Sequence, residues 1–152
     1  MAIHPTQKYA YVLGELGNTI GVYSLKKASG TLAVNATQLI STLPADYSGQ
    51  SASADIHTSD CGNYLYSSNR GHDSIAMFKI GKNGQLTSIG FEPTRGKKPR
   101  SFVIYKEFLL VANQDTNDIE VFRIDKATGK LVYTNQSASC GTPVSLFIPR
   151  YH

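Results

Sequence analysis

The sequence predicts an all-β chain built from a repeated four-stranded unit. Three observations carry this expectation. First, the chain matches itself at a fixed spacing. With Asn69 placed on Asn113, a shift of 44, Tyr66 falls on Leu110, Ile75 on Ile119, Phe78 on Phe122 and Pro99 on Pro143. One further residue of shift puts Gly84-Gln85-Leu86 on Gly129-Lys130-Leu131. A shift of 55 sets Tyr11 on Tyr66, Ile20 on Ile75 and Tyr23 on Phe78, while Gly30-Thr31-Leu32 matches Gly84-Gln85-Leu86 at 54. Second, each unit repeats one order: an apolar strand, a strand carrying aromatics, a polar turn, a third strand, a glycine hairpin and a fourth strand. Third, no segment holds apolar residues at the 3.6-residue spacing of a helix. A period near 44 residues with four strands per repeat is the pattern of a β-propeller blade.

Taken in order, the first unit covers residues 1–44 and keeps only Met1 to Pro5 of its innermost strand. Residues 44–54, rich in Ser, Ala and Gly, read as an insertion loop at the surface. In the middle unit, 54–99, strands are expected over Ala54 to Thr58, Tyr64 to Ser68, Ser74 to Ile80 and Gln85 to Glu92. In the last unit, 100–142, they are expected over Ser101 to Tyr105, Phe108 to Ala112, Asp118 to Ile124 and Lys130 to Gln136. Lys82-Asn83-Gly84 and Lys126-Ala127-Thr128-Gly129 supply the hairpin turns, where Gly or Asn takes positive φ. Residues 143–149 read as the inner strand of a further blade. The expectation is one domain over 1–152, a partial propeller of about three four-stranded antiparallel blades plus one extra strand. An open ring leaves strand edges and blade faces unpaired, so association of identical chains through those edges is expected.

Composition narrows the class. The chain has 152 residues, 41% hydrophobic and 17% charged, with a net charge of +4, as expected for one globular domain. That charge is too small for a nucleic-acid footprint, and no run reaches the roughly 18 apolar residues that span a bilayer. The beginning, MAIHPTQKYA, has no apolar signal core, and Cys61 and Cys140 lack metal-ligand spacing. A cytoplasmic protein with two ordinary thiols is expected, without nucleic-acid or membrane partners.

Chemistry-bearing residues fall at matching places in the repeat. Glu15, Arg70 and Gln114 each follow directly on the second strand of successive units. If strands alternate up and down within a blade, that slot shares a face with the start of the first strand, where Arg100 lies. His57 sits within the first strand of the middle unit. An acid, two cations, an amide and an imidazole at one channel mouth suit hydrolysis of an ester ring: a base to activate water, and fixed positive charge for an oxyanion or an anionic substrate. Glu15 is the candidate base and Arg70 the candidate anion fork. The plainer readings stand beside these: Glu15 and Arg70 as an inter-blade ion pair, His57 as a structural histidine, Gln114 as a brace with Asp115, and His72 and Asp73 as the network shaping their turn. The one basic run, Arg95, Lys97, Lys98 and Arg100, reads as a phosphate or nucleic-acid contact or, without aromatic interleaving, as a solvated loop.

HTSDCGNYLYSSNRGHDSIAMFKI, GKKPRSF and FLLVANQDTNDIEVFRIDKATGKL, with the opening HPTQKYAYVLGELGNTIGVYSL, resemble the lactonase family of seven-bladed propellers. That family includes the propeller-type 6-phosphogluconolactonases and the muconate lactonizing enzymes. The chain resembles about the C-terminal half of a member. The resemblance implies a metal-free site, with no cofactor, built from Glu, Arg and His on adjacent blades at one end of the channel. It implies that Glu15, in LGELGNT, is the catalytic glutamate and that Arg70, in SNRGHDS, is an arginine binding the substrate. His57, Arg100 and Gln114 complete the candidate set as substrate-binding residues. The implied partner is a small anionic lactone or sugar acid; the alternatives are a muconate-type cyclase and a non-catalytic scaffold for protein–protein interaction.

Overall fold

The computed structural model describes residues 1–26 and 28–149. Its first sheet comprises β1 (Ala2–Ile3), β2 (Tyr9–Gly14), β3 (Thr19–Lys26), β4 (Thr31–Leu32) and β5 (Gln38–Ser41). The second comprises β6 (Ala52–Thr58), β7 (Tyr64–Arg70), β8 (Ser74–Ile80) and β9 (Leu86–Pro93). The third comprises β10 (Pro99–Tyr105), β11 (Phe108–Asn113), β12 (Asp118–Ile124) and β13 (Leu131–Ser139). Strands pair antiparallel in chain order within the second and third sheets, and in the first both β4 and β5 pair with β3. These are three consecutive propeller blades, and the additional sheet strand lies in the first of them.

Two expectations change. The 44–54 loop is shorter at its far end, because Ala52 and Ser53 already pair with Arg70 and Asn69. Residues 143–149 carry no strand. A strand needs a hydrogen-bonded neighbour, and no second strand of a further blade lies beside this segment among the described residues.

Blade-to-blade packing uses the alternation of strand side chains. One face of the first blade, with Tyr11, Ile20 and Val22, packs on Ile56, Leu65, Ala76 and Phe78 of the middle blade. The other face of the middle blade, with Tyr64, Tyr66, Ile75 and Met77, packs on Phe102, Leu109, Val111 and Phe122 of the last. The runs at β7 and β8 are buried along almost their whole length because both of their faces are covered.

Each junction is also closed by a tyrosine. The Tyr11 hydroxyl donates to the Gly84 carbonyl at 3.1 Å, and the Tyr66 hydroxyl donates to the Gly129 carbonyl at 2.8 Å. Burial pushes both phenols well above their usual range, with smaller contributions from Tyr9 and Tyr64 respectively. At Gly129, φ is +74° and a Cβ would collide with the Tyr64 ring, so only glycine fits beneath it.

Candidate functional site

Turn geometry positions the candidate residues. The polar turn after the second strand holds a positive-φ residue in each unit: Asn18 (46°), Asp73 (53°) and Asn117 (59°). The carbonyls of these residues accept the amides of Thr42, Thr94 and Cys140 at 2.9, 3.0 and 2.9 Å. Each turn is thereby tied to the end of its own blade's outermost strand. Beneath the turns, buried Asn69 and Asn113 donate to the Thr42 and Thr94 carbonyls at 2.6 and 3.0 Å. His72 and Asp73 serve this scaffold. His72 shares a 2.6 Å hydrogen bond with Ser74 and stands edge-on to Tyr47, while Asp73 accepts the amides of Gly71 and Lys98.

The inner strands start on the same face as these turns. Ala52 pairs with Arg70 and Pro99 with Asn113, so the slot after the second strand does adjoin the start of the first. Both inner strands bulge there, between Ser53 and Ile56 and between Pro99 and Ser101. Bulges re-aim side chains and cluster beside functional sites.

Glu15 and Arg70 meet across the first blade junction. Arg70 Nη2 donates to Glu15 Oε1, and the two side chains are 19% and 63% exposed respectively. The Glu15 carbonyl also accepts the Ser53 amide at 2.9 Å, which anchors the first-blade turn on β6. Arg70 Nη2 lies 3.4 Å from the Ser53 carbonyl, and its buried Nε has no hydrogen-bond partner among the described residues. A guanidinium held in this way presents fixed positive charge, beside a carboxylate that is largely exposed. A cleft of about 440 Å³ runs beside Arg70, bounded by Leu16, Ser51, Gly71, Lys97 and Lys98.

The other candidates are placed differently. His57 pairs with Tyr66, four positions before Arg70 along β7. At ~3.3 Å per residue it lies roughly 13 Å down the wall from the Arg70 level. Its Nε2 sits 3.1 Å from Asp55 Oδ1, and its ring stands edge-on to Phe102 at 4.8 Å. Arg100 is exposed in the β10 bulge, its side chain in no ion pair among the described residues. Gln114 is half-buried, its backbone N–H donating to the Lys98 carbonyl at 3.0 Å. Neither Arg100 nor Gln114 lines the cleft beside Arg70. Of the basic run, Lys98 pairs with Asp115 at 2.8 Å and Arg95 with Glu92 at 2.6 Å. Two of its four cations are thus compensated.

Sequence reasoning missed Asp55. Its carboxylate accepts Ser101 Oγ and the Phe102 amide, each at 3.1 Å, and so bolts β6 to β10 across the second junction. Burial alone would raise its pKa, but hydrogen bonds and charge from His57 and bonds from the Phe102 and Ile56 amides outweigh that. Together they hold the carboxyl below its usual range. The available signal was Asp-Ile-His, an acid and an imidazole two residues apart and hence on one face of a strand.

Fold and site together define a class: a run of propeller blades with a paired carboxylate and guanidinium on the face where the inner strands begin. Comparison with known proteins agrees. The sequence model described as lactonase, 7-bladed beta-propeller, matches residues 1–148. The 6-phosphogluconolactonase of Bacillus subtilis is 35% identical over 147 residues, 95% of this chain and 42% of that protein. A solved structure from Lactobacillus plantarum superposes with a TM-score of 0.89 at 31% identity, covering 95% of this chain and 42% of the other. The periplasmic gluconolactonase of Pseudomonas aeruginosa gives 0.84 at 29% identity, covering 93% and 39%. The chain belongs to the lactonase family of seven-bladed β-propellers, and it spans about two-fifths of the length of these relatives.

Proposed function

We propose that this chain contributes the acid and guanidinium wall of a lactonase site acting on a sugar-acid lactone such as 6-phosphogluconolactone. The observation that carries the reading is the Glu15–Arg70 pair, which joins two blades on the face where the inner strands begin. Relatives named 6-phosphogluconolactonase and gluconolactonase support the substrate class.

In this reading Glu15 takes a proton from water as the water oxygen attacks the lactone carbonyl carbon. Negative charge develops on the carbonyl oxygen, and Arg70 stabilises it or holds the substrate's anionic group. Collapse of the tetrahedral adduct breaks the ring C–O bond. The departing ring oxygen takes the proton held by Glu15, giving a free hydroxyl and a carboxylic acid that ionises to the carboxylate. No step calls on a metal, and none is assigned to His57.

The test is lactone hydrolysis above the spontaneous background. Glu15→Gln should lower kcat/KM by about 10²–10⁴-fold, the usual contribution of a positioned base, with the circular dichroism spectrum unchanged. An unchanged rate in the variant, or no hydrolysis by the wild-type chain at any concentration, would overturn the proposal and favour a non-catalytic propeller.

A further inference from the structure

Charged side chains line the cleft beside Arg70, and all but one of them are engaged. Arg70 pairs with Glu15, and Lys98 Nζ pairs with Asp115 at 2.8 Å. Asp73 Oδ1 accepts the backbone N–H groups of Gly71 and Lys98 at 3.0 and 2.9 Å. Lys97 differs. It is exposed, and its ammonium has no hydrogen bond or ion pair among the described residues.

The backbone beneath that free ammonium is held from two sides. Lys97 donates its N–H to Thr116 Oγ1 at 3.1 Å, and its carbonyl accepts the Asp115 N–H at 3.2 Å. The Lys98 carbonyl accepts the Gln114 N–H at 3.0 Å, while the Lys98 N–H goes to Asp73. The loop is thereby tied to the polar turns of two successive blades. Gly96 permits the close approach, since a Cβ there would collide with the Asn113 and Thr116 side chains. Buried Pro99 fixes the far end at the start of β10. Anchoring of this kind sets the Lys97 backbone at one point of the cleft wall and leaves only the side chain for a ligand to order.

We propose that Lys97 is the phosphate-recognising residue of this site, selecting a lactone that carries a phosphate monoester over its unphosphorylated counterpart. The inference rests on the lactonase reading of Glu15 and Arg70. Arg70 Nη2 donates to Glu15, so its guanidinium stands beside the base that activates water and belongs with the carbonyl under attack. A phosphate on the far side of the sugar-acid ring then needs a second cation, set apart from the first and not already neutralised by a carboxylate. Lys97 meets both conditions, because it enters the cleft from the loop before β10 whereas Arg70 enters from the end of β7. An ammonium binds phosphate as a point charge with three donors. With the phosphate on Lys97, Arg70 is left to the carbonyl oxygen.

Hydrolysis of 6-phosphogluconolactone and of unphosphorylated gluconolactone by the 152-residue chain measures this selectivity. Lys97→Gln should lower the ratio of the two kcat/KM values about tenfold, through KM for the phosphorylated lactone, the size expected of one charge-assisted hydrogen bond. Lys97→Arg keeps the charge and should recover most of the ratio. An unchanged ratio in Lys97→Gln, or an equal fall for both lactones, would overturn the assignment. Hydrolysis of neither lactone by the wild-type chain would instead sink the Glu15–Arg70 reading, and titration with inorganic phosphate then decides Lys97 separately. Saturable shifts of the Gly96 and Lys98 amide NMR signals are expected in the wild type and not in Lys97→Gln. No shift in the wild type, or the same shifts in the variant, would overturn the phosphate site.

Discussion

The Tyr66 hydroxyl donates to the Gly129 carbonyl oxygen at 2.8 Å, joining the second strand of the middle blade to the outer hairpin of the last. The same bond joins Tyr11 to Gly84 one junction earlier, at 3.1 Å. Each spans a sequence separation above 60 residues inside a fully buried contact. Propeller blades are held to each other mainly by side chains, since their ladders are internal to each sheet. These two bonds therefore help fix one blade's rotation on the next, beside the Gln38–Leu86 and Asp55–Phe102 bonds across the same junctions.

Tyr66→Phe removes the donor and leaves the buried carbonyl unpaired. The expected loss is about 1–3 kcal/mol, the cost of an orphaned buried acceptor, read as a lower urea midpoint with an unchanged m-value. Tyr11→Phe should behave alike at the first junction.

Gly71→Ala tests the turn beneath Arg70. Gly71 has φ +102°, and a Cβ would stand 2.3 Å from the Gln50 carbonyl oxygen. Strain of this kind costs on the order of 1–3 kcal/mol. The obstructing atom is backbone, so the 43–51 loop must move away from the turn. Thermal unfolding at a lower temperature is the expected result.

Asp55 should make stability depend on acid. Its carboxyl is held below its unfolded value, so its contribution is fully present above the ordinary carboxylate range near 4. That contribution is lost as the pH falls through the lower folded-state value. Asp55→Asn should reduce stability at pH 7 and flatten the decline on acidification. Urea midpoints measured from pH 7 to pH 2 would show the difference in slope.

Glu15→Gln should leave stability nearly intact. The Glu15 side chain is 63% exposed, and pairs at such sites contribute about 0–1 kcal/mol. A fall in unfolding free energy well beyond 1 kcal/mol would mark the pair as structural cement. Equilibrium unfolding of the variant, run alongside the hydrolysis assay, separates the two roles.

Much of this molecule is legible in its residues, for identifiable reasons. Ser74–Ile80 and Asp118–Ile124 form strands with the limits expected of them, since both are apolar runs bounded by turn residues. Glu15 and Arg70 could be paired on paper because a blade repeat sends equivalent slots to one face. The same logic put His57 on the inner strand but left its height there open. Membership of the inner strand says nothing of depth along it, and pairing opposite Tyr66 puts that ring four residues from the Arg70 level. Asp55 escaped notice because its partners, Ser101 and Phe102, lie more than 40 residues away on another blade.

By itself the sequence determined the all-β class, the four-strand unit, its period and the residues in each turn, because side-chain alternation and turn chemistry act over a few neighbouring positions. Only the tertiary structure decided which of those residues meet. Register, the bulges at the start of β6 and β10, and the tyrosine–glycine joints between blades arise from contacts distant in sequence. The same physics decided residues 143–149. Their sequence is that of an inner strand, but β structure is completed by a neighbour, and among the described residues that segment has β10 beside it and no second strand to pair with.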